Sequence, residues 1–306
     1  MKEIKKISII GLGAIGAIYG SKLHEMDSKA LTVIANKKRA EKYSKEGLII
    51  NGKAFYFNCI DPEEKTEPAD LILVAVKYHH LSQTIKDIKN HVGPNTIILS
   101  LMNGISSEEI LGKAYGMEKM LYGLCVGIDG VRTEKEIKCA SIGEIHFGEK
   151  SNSKISPRVE AVKSIFEKAG IPYKVPEDML RALWWKFLLN VGINQTSAVL
   201  KAPYKVFQEV KEANVPMEMA MKEVIVLAQK EGVNLTNEDI HSFSTFLNVL
   251  APEGKTSMLQ DIEAGRKTEV EMFAGTICEL GEKHGIDTPA NKMLLNMIRA
   301  LEQMNS

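Results

Sequence analysis

The sequence has few of the residues that build metal centres and disulfide frameworks. Its 306 residues include four cysteines, none of them in a Cys-x-x-Cys pair, and no histidine stands at metal-ligand spacing from another ligand. Scattered cysteines of this kind are typical of reduced thiols in the cytoplasm. We therefore expect a cytoplasmic protein that holds neither a metal ion nor disulfides.

The chain also lacks an excess of charge and a long apolar run. Lysine plus arginine equals aspartate plus glutamate, at 39 residues each, which removes the overall electrostatic basis for binding nucleic acid or an anionic membrane. The apolar stretches are shorter than the roughly 20 residues of a membrane span, and the N-terminal MKEIKK leads into a strand. We expect neither a nucleic-acid partner nor membrane association.

Apolar runs alternate with helical patterns in the first half of the chain. The runs ISII, ALTVIAN, ADLILVAVK and NTIILSLMN are typical of strands buried on both faces, and LIINGKAFYFNCI is typical of a hairpin turning at Asn51-Gly52. This alternation predicts an α/β Rossmann domain, with a doubly wound and mostly parallel sheet, over residues 1–175. Helical patterns dominate from Leu180, so residues 176–306 are predicted to form an all-α domain.

The first strand leads directly into a glycine-rich turn, GLGAIG. In a dinucleotide site, Gly11 would allow the tight turn, Gly13 the approach of a diphosphate, and Gly16 the close packing of the next helix on the sheet. A glycine-rich bend between core elements is the alternative, but the flanking strand and helix favour a nucleotide site. The predicted cofactor-binding residues here are Gly11, Leu12, Gly13, Ala14, Ile15 and Gly16.

The end of the second strand indicates which nicotinamide cofactor the site prefers. NAD sites usually place Asp or Glu there, whereas this chain has Asn36 followed by Lys37, Lys38 and Arg39. These basic residues would suit the 2′-phosphate of NADP; the alternative is a solvated first turn of a helix. The sequence therefore predicts NADP(H), with Asn36 and Lys37 among the residues that bind it.

Two more polar residues end predicted strands. Lys77 ends LILVAVK and Asn103 ends IILSLMN, and ligands of open α/β sheets lie beyond the carboxyl ends of strands. Asn103-Gly104 also has the composition of a plain turn. Both residues are candidates for the cofactor site.

A polar series interrupts the apolar segment RALWWKFLLNVGINQTSAVL. Lys186, Asn190 and Asn194 recur every four residues, so on a helix they project from one side over about 12 Å. A lysine and two amides are costly to bury in such surroundings without partners, and a substrate would provide them. Lys186 would suit proton donation to a developing alkoxide; the alternative is a lysine that snorkels from a helix edge.

A second candidate segment is SMLQDIEAGRKTE. Ser257 and Gln260 match the capping box, so Ser257 is predicted to start a helix. In one straight helix Glu269 would lie about 18 Å from Ser257, too far to share a small substrate. The two could share a site if Ser257 lies on the entering loop or if the segment bends, for which Gly265 is the expected place. By itself, Glu269 is typical of a solvent-facing carboxylate.

Together these residues resemble the ketopantoate reductase (2-dehydropantoate 2-reductase) family over nearly the whole chain. The motifs that match the family are GLGAIG, Lys77, Asn103-Gly104, the series Lys186, Asn190 and Asn194, and SMLQDIEAGRKTE with Ser257 and Glu269. The resemblance implies a Rossmann domain, a helical domain and a substrate cleft between them. It also implies that NADPH reduces the C2 ketone of 2-ketopantoate to give pantoate, on the route to pantothenate and coenzyme A.

The resemblance also implies a role for each candidate residue. Lys186 would be the general acid, and Glu269 would orient the hydroxyl end of the substrate or the lysine. Asn190, Asn194 and Ser257 would hold the substrate. Lys77 and Asn103 would lie near the nicotinamide, with Asn103 also contacting the substrate. A homodimer is left open as the assembly.

Two positions depart from the family pattern. Many members have Arg where this chain has Asn36, and many have Pro where it has Gln195. The departure at Gln195 keeps open a reductase of another branched 2-keto acid with the same mechanism. A nicotinamide-binding sensor without turnover is a separate alternative, against which the intact set of Lys186, Asn190, Asn194 and Glu269 argues.

Overall fold

A computed structural model describes residues 3–133 and 136–304 of the chain. These residues form two compact units, the first ending at Met179 and the second beginning at Leu180. The sequence placed this boundary after residue 175.

The first unit is built on a mostly parallel sheet of ten strands. The strands are β1 (Ile7–Ile10), β2 (Leu31–Ile34), β3 (Leu48–Ile50), β4 (Lys53–Phe55), β5 (Cys59–Ile60), β6 (Leu71–Val74), β7 (Ile97–Ser100), β8 (Met120–Arg132), β9 (Glu136–Gly148) and β10 (Tyr173–Lys174). Their order is β4-β3-β9-β8-β7-β6-β1-β2-β5, with β10 beside β9. The hairpins β3–β4 and β8–β9 are antiparallel, and the other described pairs are parallel.

Helices connect these strands in the doubly wound manner that the sequence predicts. They are α1 (Ala14–Met26), α2 (Lys37–Lys45), α3 (Leu81–Asp87), α4 (Ser107–Tyr115) and α5 (Pro157–Lys168). The strand order reverses beside β1, which pairs with β2 on one side and with β6 on the other. Ligands of such sheets bind at the carboxyl ends of the strands where the order reverses. The predicted α/β class of this unit is confirmed.

The strands at the centre of the sheet are buried on both faces. All four residues of β6 are inaccessible, and they alternate between two apolar clusters: Leu71 and Leu73 belong to one, Ile72 and Val74 to the other. Successive strand residues point to opposite faces, so a sheet covered on both faces needs apolar residues at every position. This explains the continuous apolar runs of the sequence.

The predicted hairpin over LIINGKAFYFNCI is only partly correct. Asn51 and Gly52 both have positive φ angles, as a two-residue hairpin turn requires, and β3 and β4 pair across them. Cys59 and Ile60, however, leave the hairpin and pair in parallel with β2 as β5. The edge of β2 offers unpaired backbone groups, and β5 satisfies them.

The second unit is helical throughout its described part, as predicted. Its α-helices are α6 (Met179–Leu189), α7 (Gln195–Leu200), α8 (Tyr204–Glu209), α9 (Lys211–Lys230), α10 (Asn237–Leu247), α11 (Ser257–Glu263), α12 (Thr276–His284) and α13 (Pro289–Met304). Two π-helical segments, Asn190–Asn194 and Glu271–Gly275, precede α7 and α12. Within the described ranges, none of the helices has both the length and the apolar character needed to cross a membrane.

A buried carboxyl group in α4 predicts that the stability of the chain depends on pH. Glu108 is 2% exposed, and its carboxylate accepts hydrogen bonds from Ser107 Oγ at 2.9 Å and from the Gly123 N–H at 3.4 Å. Burial raises the pKa of this carboxyl group from 4.5 to about 7. Between these values the folded chain binds more protons than the unfolded chain, so the free energy of unfolding should fall as the pH rises.

The substitution Glu108→Gln removes this ionisation. Above pH ~8 the variant should be more stable than the wild type by up to about 3 kcal/mol, and below pH ~5 the difference should nearly vanish. Chemical denaturation at the two pH values measures both differences. Glu109→Gln, at the exposed neighbouring position, is the matched control and should show no such pH dependence. An equal stability difference at both pH values would contradict the prediction.

Candidate functional site

The glycine-rich turn lies where the strand order of the sheet reverses. Ile10 of β1 is in register with Val74 of β6, and the Ala75 N–H donates to the Ile10 carbonyl at 2.9 Å. Gly11 lies close to the residue that follows β6: a Cβ at Gly11 would be 2.5 Å from the Ala75 carbonyl oxygen. A Cβ at Gly16 would be 1.9 Å from the Gly11 carbonyl oxygen. These two positions therefore have room only for glycine.

Gly13 has a different environment. A Cβ built there would meet no atom of the described residues within 4 Å, and α1 begins at the next residue. The first turn of a helix presents backbone N–H groups without helical partners, and these N–H groups and the helix dipole favour an anion. The open space in front of Gly13 therefore fits the diphosphate of a dinucleotide.

A pocket of about 250 Å³ adjoins this turn at the carboxyl ends of β1 and β2. Its lining includes Leu12, Asn36, Arg39 and His80. The Asn36 side chain accepts a hydrogen bond from the Arg39 N–H at 3.1 Å and so caps α2. Burial, together with the charges of Arg39 and Lys77, lowers the pKa of His80. At the end of β2, where NAD sites usually carry an acidic residue, the pocket therefore has the uncharged Asn36 and the positive charge of Arg39.

Lys37 and Lys38 lie in the same first turn of α2 and are exposed. The lining of the pocket includes Arg39 from this basic run. The three basic residues thus occupy one helical turn, and Arg39 is the one that faces the pocket. From this run the sequence predicted Lys37 as a cofactor-binding residue and did not single out Arg39.

Lys77 and Asn103 follow neighbouring parallel strands. The Leu101 N–H donates to the Val74 carbonyl at 2.8 Å, which keeps the ends of β6 and β7 side by side. Lys77 precedes a short 3₁₀ turn, and Asn103 precedes Gly104, whose positive φ produces a bend. Both candidates therefore lie at the carboxyl edge of the sheet, as predicted.

Arg132 was missed by the sequence reasoning. It lies at the end of β8, and its guanidinium group donates a hydrogen bond to the carbonyl of Leu12 in the glycine-rich turn. β8 reaches α1 because Gly130 has no side chain: a Cβ there would be 2.9 Å from Ile18 Cδ1. An arginine at a strand end has no local pattern that marks it, so only the fold identifies this contact.

In the second unit, three of the predicted substrate-binding residues form a hydrogen-bonded chain. Asn194 Nδ2 donates to Asn190 Oδ1 at 3.1 Å, and Ser257 Oγ donates to Asn194 Oδ1 at 3.1 Å. Asn194 is 6% exposed, whereas Ser257 is exposed. Lys186 lies in the last turn of α6, one turn before Asn190. The structure therefore brings Ser257 to Asn190 and Asn194, although Ser257 lies 63 residues after Asn194 in the sequence.

The predicted cap of α11 is off by one residue. Thr256 is the N-cap, and its Oγ1 accepts a hydrogen bond from the Leu259 N–H at 3.2 Å. Ser257 is the first helical residue, so its hydroxyl group is turned to Asn194 instead of to the helix backbone. Ser257 therefore does not cap α11, and its hydroxyl group bonds Asn194 instead.

The segment between Ser257 and Glu269 bends at Gly265, as expected. The Gly265 N–H donates to the Ile262 carbonyl at 3.1 Å and the Arg266 N–H to the Asp261 carbonyl at 2.8 Å, and these bonds end α11. Glu269 is half-buried, and its carbonyl accepts from the Met272 N–H at 3.0 Å, which starts the next helical segment. A single straight helix is therefore excluded.

The candidates are divided between the two units. The first unit carries the glycine-rich turn, Asn36, Lys37, Lys77 and Asn103, and the second carries Lys186, Asn190, Asn194, Ser257 and Glu269. The helix around Asn190 is π-helical, which its regular four-residue spacing did not indicate. π-Helical turns are rare and occur frequently at functional sites.

A dinucleotide-type sheet followed by a helical unit with this polar series defines a nicotinamide-dependent oxidoreductase. The chain belongs to the ketopantoate reductase family. The family model "Ketopantoate reductase PanE/ApbA" matches residues 7–152, and "Ketopantoate reductase PanE/ApbA C terminal" matches residues 178–302. The resemblance predicted from the sequence is confirmed.

Individual relatives are similar to this chain over nearly their full length, which supports the family assignment. The 2-dehydropantoate 2-reductase of Archaeoglobus fulgidus is 27% identical, covering 98% of this chain and 99% of that protein. The crystal structure of 2-dehydropantoate 2-reductase from Geobacter metallireducens GS-15 is 27% identical, with a TM-score of 0.85 and coverage of 98% and 99%. The ternary structure of D-mandelate dehydrogenase with NADH and anilino(oxo)acetate has a TM-score of 0.88, 23% identity and coverage of 98% and 99%, which shows a shared fold.

Proposed function

We propose that the protein reduces 2-ketopantoate to pantoate with NADPH. The observation that carries the proposal is the hydrogen-bonded chain of Asn190, Asn194 and Ser257 one helical turn after Lys186. Amide and hydroxyl groups suit the carboxylate and hydroxyl of a small 2-keto acid, and a lysine suits its ketone oxygen. Family membership supports the same substrate and a place on the route to pantothenate.

When bound, the reduced nicotinamide supplies the hydride that is added to C2 of the keto acid. Lys186 hydrogen-bonds the ketone oxygen and donates a proton to it, so that the developing alkoxide becomes a hydroxyl group. Asn190 and Ser257 hold the ends of the substrate, and Asn194 fixes both of these side chains through its own amide. In the first unit, we assign Lys77 and Asn103, at the carboxyl edge of the sheet, to the nicotinamide.

Glu269 orients the substrate hydroxyl group or the Lys186 ammonium group in this proposal. Its backbone is held firmly, because the N–H and Oγ1 of the preceding residue, Thr268, donate to Glu302 at 2.7 and 2.6 Å. A carboxylate on a fixed backbone position needs little reorganisation before it accepts a hydrogen bond. This makes Glu269 suited to positioning.

The pocket at the end of β2 supports NADPH as the preferred cofactor. Arg39 faces this pocket, Lys37 lies in the same helical turn, and an acidic residue at the strand end is replaced by Asn36. Guanidinium groups bind phosphate through paired charge-assisted hydrogen bonds. We assign the 2′-phosphate to this turn, with Arg39 as its main contact and Lys37 as a second one.

Arg39→Ala should weaken NADPH binding about 10-fold or more and leave NADH binding unchanged, because each charge-assisted hydrogen bond contributes about 1.5–3 kcal/mol. Fluorescence titration with both cofactors measures the two dissociation constants. Lys42→Ala removes an exposed charge from the same helix and is the control. Equal losses for NADPH and NADH in Arg39→Ala would remove the phosphate assignment.

The function is tested by following cofactor oxidation with purified protein and a panel of 2-keto acids. The panel contains 2-ketopantoate, 2-ketoisovalerate, 2-ketoisocaproate and the aromatic benzoylformate, each with NADPH and with NADH. Fast turnover confined to 2-ketopantoate with NADPH supports the proposal. Preference for another acid would keep the mechanism and change the substrate, and binding of NADPH without any turnover would favour a sensor.

The other branched 2-keto acids remain the second candidate because Gln195 stands where many members of the family have Pro. The fold shared with a D-mandelate dehydrogenase shows that this architecture by itself does not select the acid. The homodimer stays a prediction, which sedimentation equilibrium would check.

A further inference from the structure

We propose that Gln195 is a positioning residue that holds the segment with Lys186, Asn190 and Asn194 in a fixed arrangement relative to the segment that starts at Glu269. The proposal rests on the proposed function only for the roles of those residues. Gln195 is 0% exposed, so its amide is taken wholly out of water and must find all its partners inside the protein.

The Gln195 amide makes three hydrogen bonds to three different segments. Its Nε2 donates to the Val191 carbonyl at 2.7 Å and to Asn291 Oδ1 at 3.1 Å, and its Oε1 accepts from the Ala274 N–H at 3.1 Å. A carbonyl only accepts and a backbone N–H only donates, so these partners determine the orientation of the amide. One side chain thus connects the helix of Asn190, the helix that follows Glu269, and α13.

Two of these partners belong to the π-helical segments. Val191 lies in Asn190–Asn194, and Ala274 lies in Glu271–Gly275. A π-helical turn shifts the backbone out of the regular helical hydrogen-bond pattern, so carbonyls near it need other donors. Gln195 supplies one to Val191, and Thr196 Oγ1 supplies another to the Gly192 carbonyl at 2.8 Å. The wider turn at Asn190 is therefore stabilised by the side chains that follow it.

Asn291 holds Gln195 from the opposite side. It is 0% exposed, and its Nδ2 donates to Glu223 Oε2 at 2.7 Å and to the Ala220 carbonyl at 3.2 Å. Glu223 in turn accepts from the Ala290 and Asn291 N–H groups at 2.7 and 3.0 Å, at the start of α13. Every hydrogen-bonding atom of the two amides therefore has a partner, and such a connected buried network permits a single arrangement.

This network connects the two parts of the candidate site in the second unit. Gln195 immediately follows Asn194, and Ala274 follows Glu269 by a little more than one helical turn. A displacement of about 1 Å in a catalytic group lowers the rate as much as 100-fold. In this proposal, Gln195 therefore keeps the Lys186 helix and Glu269 at a fixed distance from each other. Gln195 itself does not contact the substrate in this assignment.

The test compares Gln195→Met and Gln195→Asn with wild type. Methionine has similar length but bonds none of the three partners, and asparagine keeps an amide that is one methylene too short to reach them all. We expect kcat to fall about 10- to 100-fold in Gln195→Met and less in Gln195→Asn. The dissociation constant of NADPH should stay within about twofold, because Gln195 lies in the helical unit.

Gln208→Met is the control for lost stability. Gln208 Nε2 donates to the Leu247 and Leu250 carbonyls at 2.9 and 3.0 Å, and neither belongs to the candidate site. This variant loses two partly buried amide hydrogen bonds but should keep the wild-type kcat. Equal kcat losses in Gln195→Met and Gln208→Met would overturn the proposal. So would a wild-type kcat in Gln195→Met, or failure of both Gln195 variants to fold.

Amide hydrogen exchange gives a readout that does not depend on the substrate. Exchange in residues 269–275 should accelerate at least about 10-fold in Gln195→Met and stay unchanged in Gln208→Met, because the Ala274 N–H loses its acceptor. Unchanged exchange in Gln195→Met would overturn the positioning role. If the wild type reduces none of the keto acids, the proposed function fails, and the exchange experiment alone decides the role of Gln195.

Discussion

Lys186→Ala should lower kcat about 10²- to 10⁴-fold with the preferred 2-keto acid, the usual contribution of a positioned general acid. The NADPH dissociation constant should stay within about threefold, because the proposed contact of Lys186 is with the ketone oxygen. Steady-state kinetics and cofactor titration measure the two effects separately. A kcat near that of wild type would exclude Lys186 as the proton donor.

Two further variants separate the possible roles of this lysine. Lys186→Arg keeps the positive charge but does not release a proton near neutral pH, so kcat should stay low if proton transfer is the main role. A largely restored kcat would mean that the charge polarises the ketone and that water supplies the proton. Lys222→Met removes an exposed lysine of α9 and should leave kcat unchanged.

Gly13→Ala should weaken NADPH binding about 10- to 100-fold in a chain that folds normally. The new Cβ would enter the open space in front of α1 and separate the diphosphate from backbone N–H groups, whose hydrogen bonds to a charged ligand contribute about 1.5–3 kcal/mol each. NADH binding should weaken to a similar degree, since both cofactors carry the diphosphate. Isothermal calorimetry with each cofactor measures the loss.

Gly20→Ala, on the same helix, is the control. A Cβ at Gly20 would be 3.6 Å from Leu12 Cδ2, an ordinary van der Waals distance, and alanine favours a helix by about 0.5–1 kcal/mol. Cofactor binding should be unchanged and the melting temperature slightly higher. Unchanged NADPH affinity in Gly13→Ala would place the diphosphate elsewhere.

Local chemistry explains why much of the fold could be predicted. The run from Leu71 to Val74 is apolar at every position because both faces of its strand are covered, and Asn51-Gly52 has the left-handed conformations that a two-residue hairpin needs. The bend at Gly265 could also be predicted from local chemistry, because glycine commonly ends a helix. These features depend on neighbouring residues, so a linear sequence displays them.

Part of the candidate site could also be predicted from the spacing of its residues along the sequence. Lys186, Asn190 and Asn194 recur with the period of a helix, and the glycine-rich turn has a strand before it and a helix after it. The capping box at Ser257 was a wrong assignment, because Thr256 supplies a hydroxyl group one residue earlier. Two adjacent residues with the same capping chemistry are not distinguished by their sequence.

The alternation of strands and helices, the glycine-rich turn, the helical second unit and the polar series along one helix were therefore all predictable from the residues alone. Four features appeared only in the folded chain: the pairing of β5 with β2, the contact of Arg132 with Leu12, the hydrogen bond from Ser257 to Asn194, and the π-helical turns joined by Gln195. The difference arises because periodicity and turn chemistry are properties of neighbouring residues. Partners for buried polar groups are instead chosen by packing between segments far apart in the chain.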